Sequence, residues 1–227
     1  MLAKPAFGRL RVGVVQFPGS NCDDDCVDVL RRHYEIDASK IWHQETGLPK
    51  LDALILPGGF SFGDYLRSGA LAARAPIMES IKSFAARGGH ILGICNGFQI
   101  LTESGLLPGA LLHNKGQKFI CTHVKIKSTE GPTLKIPIAH AEGRFWIDEE
   151  GLRRLDDLDL VAYRYCADDG RVSVDANPNG SVANIAGIYS KDKKILGMMP
   201  HPERATDMLM GGSCDGMIVI NNFLQRI

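Results

Sequence analysis

The sequence predicts an α/β fold, built on one main sheet with an antiparallel addition. Short apolar runs alternate with helical stretches through the first half of the chain. Several of those runs stop at Pro-Gly or Gly-Gly, where a strand hands over to a loop or helix. Over residues 112–141 the spacing changes to longer alternating strands joined by turns, as in antiparallel pairing.

Taken in order, residues 11–17 (RVGVVQF) read as the first strand, ended by Pro18-Gly19-Ser20. Asn21 is a good N-cap for a helix over residues 23–33, and Asp23, Asp24 and Asp25 suit its positive end as a solvated helix start. Residues 40–43 and 53–56 (ALIL) are the second and third strands, the latter stopped by Pro57-Gly58-Gly59. Residues 60–75 are less periodic, mixing glycine, aromatic and polar residues as a loop does. Pro76 opens a helix that stops at Gly88-Gly89. Residues 90–94 form a buried strand and residues 96–104 the helix after it. Residues 160–164 and 181–189 continue the antiparallel part, residues 195–199 (ILGMM) are a last buried strand, and residues 215–226 a closing amphipathic helix. Residues 1–10 read as a short extension and residues 11–227 as a single domain.

Composition narrows the function. The chain has 227 residues, 44% of them hydrophobic, enough for one substantial core. Lys plus Arg equals Asp plus Glu at 26 each, so the basic excess of a nucleic-acid-binding domain is absent. No apolar run has the length of a membrane span, and the first ten residues lack the apolar core of a signal peptide. A cytoplasmic protein with reduced thiols is therefore expected. Of the six cysteines, Cys22 and Cys26 stand four apart with no second pair or nearby histidine, so they read as ordinary helix residues and no metal site is expected.

The most informative segment is Gly93-Ile94-Cys95-Asn96-Gly97-Phe98-Gln99. A buried strand leads directly into a helix, with a cysteine at the corner and glycines two residues to either side. Such a corner strains the nucleophile and lets substrate approach, and the residue after it offers its N–H to an oxyanion. A helix start also favours thiolate over thiol. A cysteine nucleophile needs a histidine to take its proton and a third group to orient the ring. Two H-x-E segments could supply both: His140-Ala141-Glu142 and His201-Pro202-Glu203. Spacing leaves the choice open. Context favours His201, which follows a buried strand and sits between two stiffening prolines.

GICNGFQ and HPE, in that order and spacing, resemble the nucleophile and histidine–glutamate segments of the class I (triad) glutamine amidotransferases. VVQFPGSNCDDD, LPGGFSFGDYLRSGA, PIAHAEGRF and MMPHPER are similar, more narrowly, to the glutaminase subunits of phosphoribosylformylglycinamidine synthases. The resemblance runs from about residue 10 to the C-terminus. It implies a three-layer, flavodoxin-like, mostly parallel sheet and a triad of Cys95, His201 and Glu203, with His140 outside it. It implies an oxyanion hole from the N–H groups of Gly59 and Asn96, and a glutamine-binding role for Gln99.

The implied reaction hydrolyses L-glutamine to glutamate and ammonia through a Cys95 thioester. Ammonia then passes to a large synthetase subunit, with a small third subunit in the same synthase. That partner would use ATP and magnesium to convert formylglycinamide ribonucleotide to the amidine in purine synthesis. This chain carries no phosphate-loop motif, so no cofactor is expected in it. The alternatives are a triad glutaminase serving another synthetase, which should lack FPGSNCD and GGFSFGDYLR, and a cysteine hydrolase on the same fold, which should lack HPE.

Overall fold

Val12, Val14 and Val15 are fully buried in strand β1 (Arg11–Gln16), a near-continuous apolar run of the kind that a strand covered on both faces requires. The structure, a computed structural model, describes residue 7 and residues 9–227. After β1 come helix α1 (Asp23–Tyr34), strands β2 (Asp37–Trp42) and β3 (Ala53–Leu56), and helix α2 (Ile77–Ala86). Strand β4 (His90–Ile94) and helix α3 (Asn96–Glu103) follow, with Cys95 alone between them. The second half runs β5 (Ala110–Leu112), β6 (Ile120–Lys127), β7 (Thr133–His140), β8 (Arg144–Trp146), α4 (Glu149–Asp157) and β9 (Val161–Cys166). It closes with β10 (Ile185–Tyr189), β11 (Ile195–Met198), α5 (Met208–Gly211) and α6 (Gly216–Leu224).

Among the described residues nine strands form one sheet, ordered β2-β1-β3-β4-β11-β10-β9-β6-β7. The first five run parallel, in the 2-1-3-4-5 order of flavodoxin-like sheets when β11 counts as fifth. The rest pair antiparallel, and β5 with β8 makes a separate ribbon. Helix α1 packs on β1 and β2, and α3 on β3, β4 and β11. The predicted α/β sheet with its antiparallel extension is the observed one. No helix among the described residues is long and apolar enough to cross a membrane.

The start of α1 differs from expectation. Its N-cap is Cys22, without a side-chain cap, and Asn21 Oδ1 instead accepts from the Cys22 thiol at 3.3 Å. Nor is the acidic run simply solvated. Asp23 is 3% exposed and takes Lys40 Nζ at 3.0 Å and Gln16 Nε2 at 2.8 Å on one oxygen. Asp25 pairs with Arg204 at 3.0 Å, tying α1 to the segment that carries His201.

The parallel strands set the site. Open α/β sheets bind ligands beyond the carboxyl ends of their strands. Here the ends of β3 and β4 lead to Gly58-Gly59 and Cys95, and β11 leads to His201. Backbone bonds hold these ends together: Cys95 N–H to Met198 O at 2.7 Å, Cys22 N–H to Gly58 O at 3.3 Å, and Phe60 N–H to Gly19 O at 3.0 Å.

Candidate active site

Cys95 adopts φ 50° and ψ −105°, a conformation that costs a non-glycine residue roughly 1–3 kcal/mol and persists only when its surroundings impose it. They do so here. Its N–H is committed to β11, its carbonyl accepts from Gln99 N–H at 3.1 Å, and Gly97 lies so near the Leu56 carbonyl that any Cβ would clash. The thiol therefore stands at the start of α3, facing the Ala139 carbonyl at 3.7 Å. This is the strand–corner–helix expected for a nucleophile.

His201 is 3% exposed, and its N–H is bonded to Pro137 O of β7 at 2.9 Å. Pro202 begins a short 3-10 turn that brings Glu203 back beneath the ring, where Oε1 meets Nδ1 at 2.7 Å. Burial alone would discharge the ring. The Glu203 carboxylate, with Cys95 and Cys22, outweighs it and holds the His201 pKa well above its ordinary value. Nε2 has no hydrogen-bond partner among the described residues, so it is the nitrogen free for chemistry. A histidine set up this way takes a thiol proton readily and stores it as imidazolium.

Gly59 has φ 145°, open to glycine alone, and a Cβ there would meet the backbone of Ser20 and Asn21 at 2.8–2.9 Å. Ser61 N–H, two residues on, donates to Asn96 Oδ1 at 3.2 Å, so the Gly59 turn lies against the start of α3. Among the described residues neither Gly59 N–H nor Asn96 N–H has a backbone or side-chain acceptor. Both predicted oxyanion donors are thus brought to the same corner with their protons uncommitted.

Residues 9–215 match the family model of the CobB/CobQ-like glutamine amidotransferase domain. The phosphoribosylformylglycinamidine synthase subunit PurQ of Aquifex aeolicus is 48% identical over 227 residues, spanning 95% of this chain and 100% of its own length. The subunit of that name from Methanosarcina acetivorans is 45% identical, over 96% of this chain and 98% of its own. The chain belongs to the PurQ family of glutamine amidotransferases. The solved structure of PurLQS from Thermotoga maritima agrees, with a TM-score of 0.82 at 40% identity over 96% of this chain and 98% of that one. Enzymes of this family release ammonia from glutamine, and the geometry above is suited to it.

Gln99 and the second H-x-E segment fall into place differently. Gln99 is 4% exposed and committed at both ends: its Nε2 donates to the Glu142 carbonyl at 2.6 Å, and its Oε1 accepts from Asn96 Nδ2 at 2.9 Å. The second H-x-E segment does not pair internally. His140 Nδ1 meets Asn114 Oδ1 at 3.0 Å, while Glu142 Oε2 accepts from Ser68 N–H at 3.2 Å. Burial, with His201 nearby, pushes the His140 pKa down to about 4, leaving a neutral ring.

One neighbour of the site was not legible in the sequence. Cys22 was read as an ordinary helix residue without a histidine near it, yet its Sγ lies 3.9 Å from His201 Nδ1, across 179 residues of chain. Tertiary bonds place it there, among them Cys22 N–H to Gly58 O and Phe60 N–H to Gly19 O. Asn114, which holds His140, carried no motif that could have flagged it.

Proposed function

We propose that Cys95 is the nucleophile, His201 its general base and later acid, and Glu203 the group that orients and charges the ring. The Cys95 thiol gives its proton to His201 Nε2, and the resulting thiolate attacks the glutamine amide carbon. The tetrahedral intermediate collapses, its C–N bond breaks, and His201 returns the proton to the departing ammonia. Water, deprotonated by His201, then attacks the thioester and releases glutamate. Gly59 and Asn96 donate their free N–H groups to the oxyanion of both intermediates, a contribution of roughly 3–4 kcal/mol per donor in such sites. Gln99 serves this pocket chiefly by tying α3 to the turn at Glu142; direct contact with glutamine would require it to give up one of its two bonds. The observation that carries the reading is the charged, buried His201–Glu203 pair beside a cysteine held at a strained corner.

The ammonia serves a synthetase partner, a reading supported by the names of the relatives, and we propose that this partner aminates formylglycinamide ribonucleotide with ATP and magnesium. A small third subunit completes the assembly, residues 11–227 act as one domain, and the protein works in the cytoplasm. Residues 60–71 are proposed as the contact. They follow the Gly59 turn directly, and Phe62, Asp64 and Leu66 all have positive φ, so the segment holds a strained shape that docking could reset. Phe60, Tyr65 and Leu66 are exposed there, and aromatic residues are enriched in interface cores.

The test is reconstitution. Glutamate release is measured from the chain alone, then with synthetase, ATP and nucleotide added in turn. Partner-dependent stimulation supports the proposal, whereas full activity alone, unchanged by any addition, refutes activation by docking at residues 60–71. Synthesis from free ammonia that persists with Cys95→Ala, while glutamine-dependent synthesis disappears, supports the role of Cys95.

A further inference from the structure

Cys22 is a buried thiol that the chemistry above does not use. It is 1% exposed, and its sulfur faces the same imidazole nitrogen that Glu203 holds. One sulfur, one nitrogen and one carboxylate oxygen, from Cys22, His201 and Glu203, therefore lie within 4.8 Å of one another. A second feature points to a ligand. Glu203 is 2% exposed, and its other oxygen, Oε2, is buried without a hydrogen-bond partner among the described residues. Gly58 closes the cluster from above, where a Cβ would stand 2.6 Å from the His201 ring and 3.1 Å from Cys22 Sγ.

The spacing suits a small tetrahedral cation. Zinc binds cysteine sulfur at about 2.3 Å and histidine nitrogen or carboxylate oxygen at about 2.0–2.1 Å. Ideal angles then put sulfur and nitrogen about 3.6 Å apart, and nitrogen and oxygen about 3.3 Å apart. The observed 3.9 Å and 2.7 Å differ from these by about 0.3 and 0.6 Å. The sulfur and carboxylate oxygen, ideally also about 3.6 Å apart, lie within 4.8 Å, so binding adjusts the three side chains by rotation. Asn21 Oδ1, 3.3 Å from the sulfur, or a water can supply a fourth ligand. The charges also close. A thiolate, a carboxylate and a divalent cation sum to zero, the balance a buried cluster needs. Sulfur selects a thiophilic ion over magnesium or calcium.

We propose that Cys22, His201 and Glu203 form an inhibitory site for a thiophilic divalent cation of the zinc and cadmium class. Binding forms bonds from the metal to Cys22 Sγ, His201 Nδ1 and a Glu203 oxygen. The thiol proton and the Nδ1 proton leave to solvent, with no change of oxidation state. Glu203 exchanges its hydrogen bond to the ring for a bond to the metal. The ring is then turned from Cys95 and weakened as a base, so ammonia release stops. Cys95 is not a ligand, which separates this site from simple capture of the nucleophile by metal.

Inhibition rests on the role proposed for His201, whereas binding does not, and the two are read separately. Cadmium is titrated against a competing chelator into the 227-residue chain carrying Cys95→Ala, Cys121→Ser and Cys214→Ser, which removes the nucleophile and the two exposed thiols. One equivalent should bind with an ultraviolet sulfur-to-cadmium band, and adding Cys22→Ser should weaken binding at least about tenfold. No band, or a band untouched by Cys22→Ser, overturns the site. Should Cys22→Ser fail to fold, X-ray absorption of the zinc form of the parent variant decides: one sulfur neighbour is expected, and none or two would overturn it. In the otherwise natural chain, Cys22→Ser should raise the zinc concentration for half-inhibition of glutaminase by about tenfold or more. An unchanged concentration overturns the inhibitory role. A chain with no glutaminase activity even with synthetase, ATP and nucleotide added would count against the proposed function and leave the binding result standing.

Discussion

In His201-Pro202-Glu203 the carboxylate meets the ring at 2.7 Å; in His140-Ala141-Glu142 it turns away, and Asn114 takes its place at 3.0 Å. Both rings are 3% exposed, so burial is common to the two. The carboxylate decides the difference. It holds His201 charged well above the ordinary value, while His140, with no anion against it and a charged ring nearby, falls to about 4. The backbone explains the pairing. His140 ends β7, and the chain turns out of the sheet at once, so the same-side relation of alternate strand residues is lost. Pro202 instead sets a tight turn that carries Glu203 back under its histidine. Identical spacing thus yields a carboxylate-paired, charged ring in one place and a neutral ring held by Asn114 in the other.

The largest way to break this comparison is to exchange the damage. His201→Ala should lower glutamine-dependent turnover by on the order of a thousandfold or more, approaching loss of the nucleophile. His140→Ala should cost no more than about tenfold, mostly through stability. Steady-state glutamate release in the activated complex measures both, and comparable losses would end the distinction.

A smaller effect is expected at the carboxylates. Glu203→Gln keeps a hydrogen-bond partner for the ring but removes its charge, so kcat should fall by about a hundredfold. Glu142→Gln leaves the chemistry in place and weakens the bond to Ser68 N–H and the contact with His113 Nε2 at 3.6 Å, with an effect on turnover within about fivefold.

The pH dependence of stability sharpens the comparison further, because the two histidines have opposite signs. His140 binds its proton more weakly in the folded chain than in the unfolded one. Its neutral burial therefore favours folding above about pH 6.5, and that contribution, on the order of 3 kcal/mol, is lost as pH falls from 6.5 toward 4. His201 binds its proton more strongly when folded. Its contribution is complete below the ordinary histidine value and is lost as pH rises through the raised folded value. Urea unfolding between pH 4 and 7 should show the acid-side loss in the native chain and a flatter profile in His140→Gln. Equal slopes in the two would remove His140 as the cause.

Much of this was legible in the sequence where local chemistry punctuates the chain. β3 and β4 match their expected bounds because Pro57-Gly58-Gly59 and Gly88-Gly89 fix their edges. The corner at Cys95 was readable because its two glycines flank it in sequence, although the contact that demands Gly97 comes from Leu56 of β3. Helix α4 and strand β8 were missed. The helix is polar, but Asp148, whose Oδ1 takes Gly151 N–H at 2.7 Å, ahead of Glu149 and Glu150, was a start signal in plain view. Strand β8 has three residues and no period to read. Cys22, Asn114 and the bond from Gln99 to the Glu142 carbonyl were out of reach because each depends on chain brought from elsewhere in the fold.

The most direct test of the Cys95–His201–Glu203 assignment is covalent trapping with a glutamine-analogue electrophile, followed by mass spectrometry of the labelled peptide. The native chain and His140→Asn should be labelled at Cys95 alone, at similar rates, and His201→Ala should be labelled at least about a hundredfold more slowly. Label on another cysteine, or rapid labelling that survives His201→Ala and fails in His140→Asn, would contradict it.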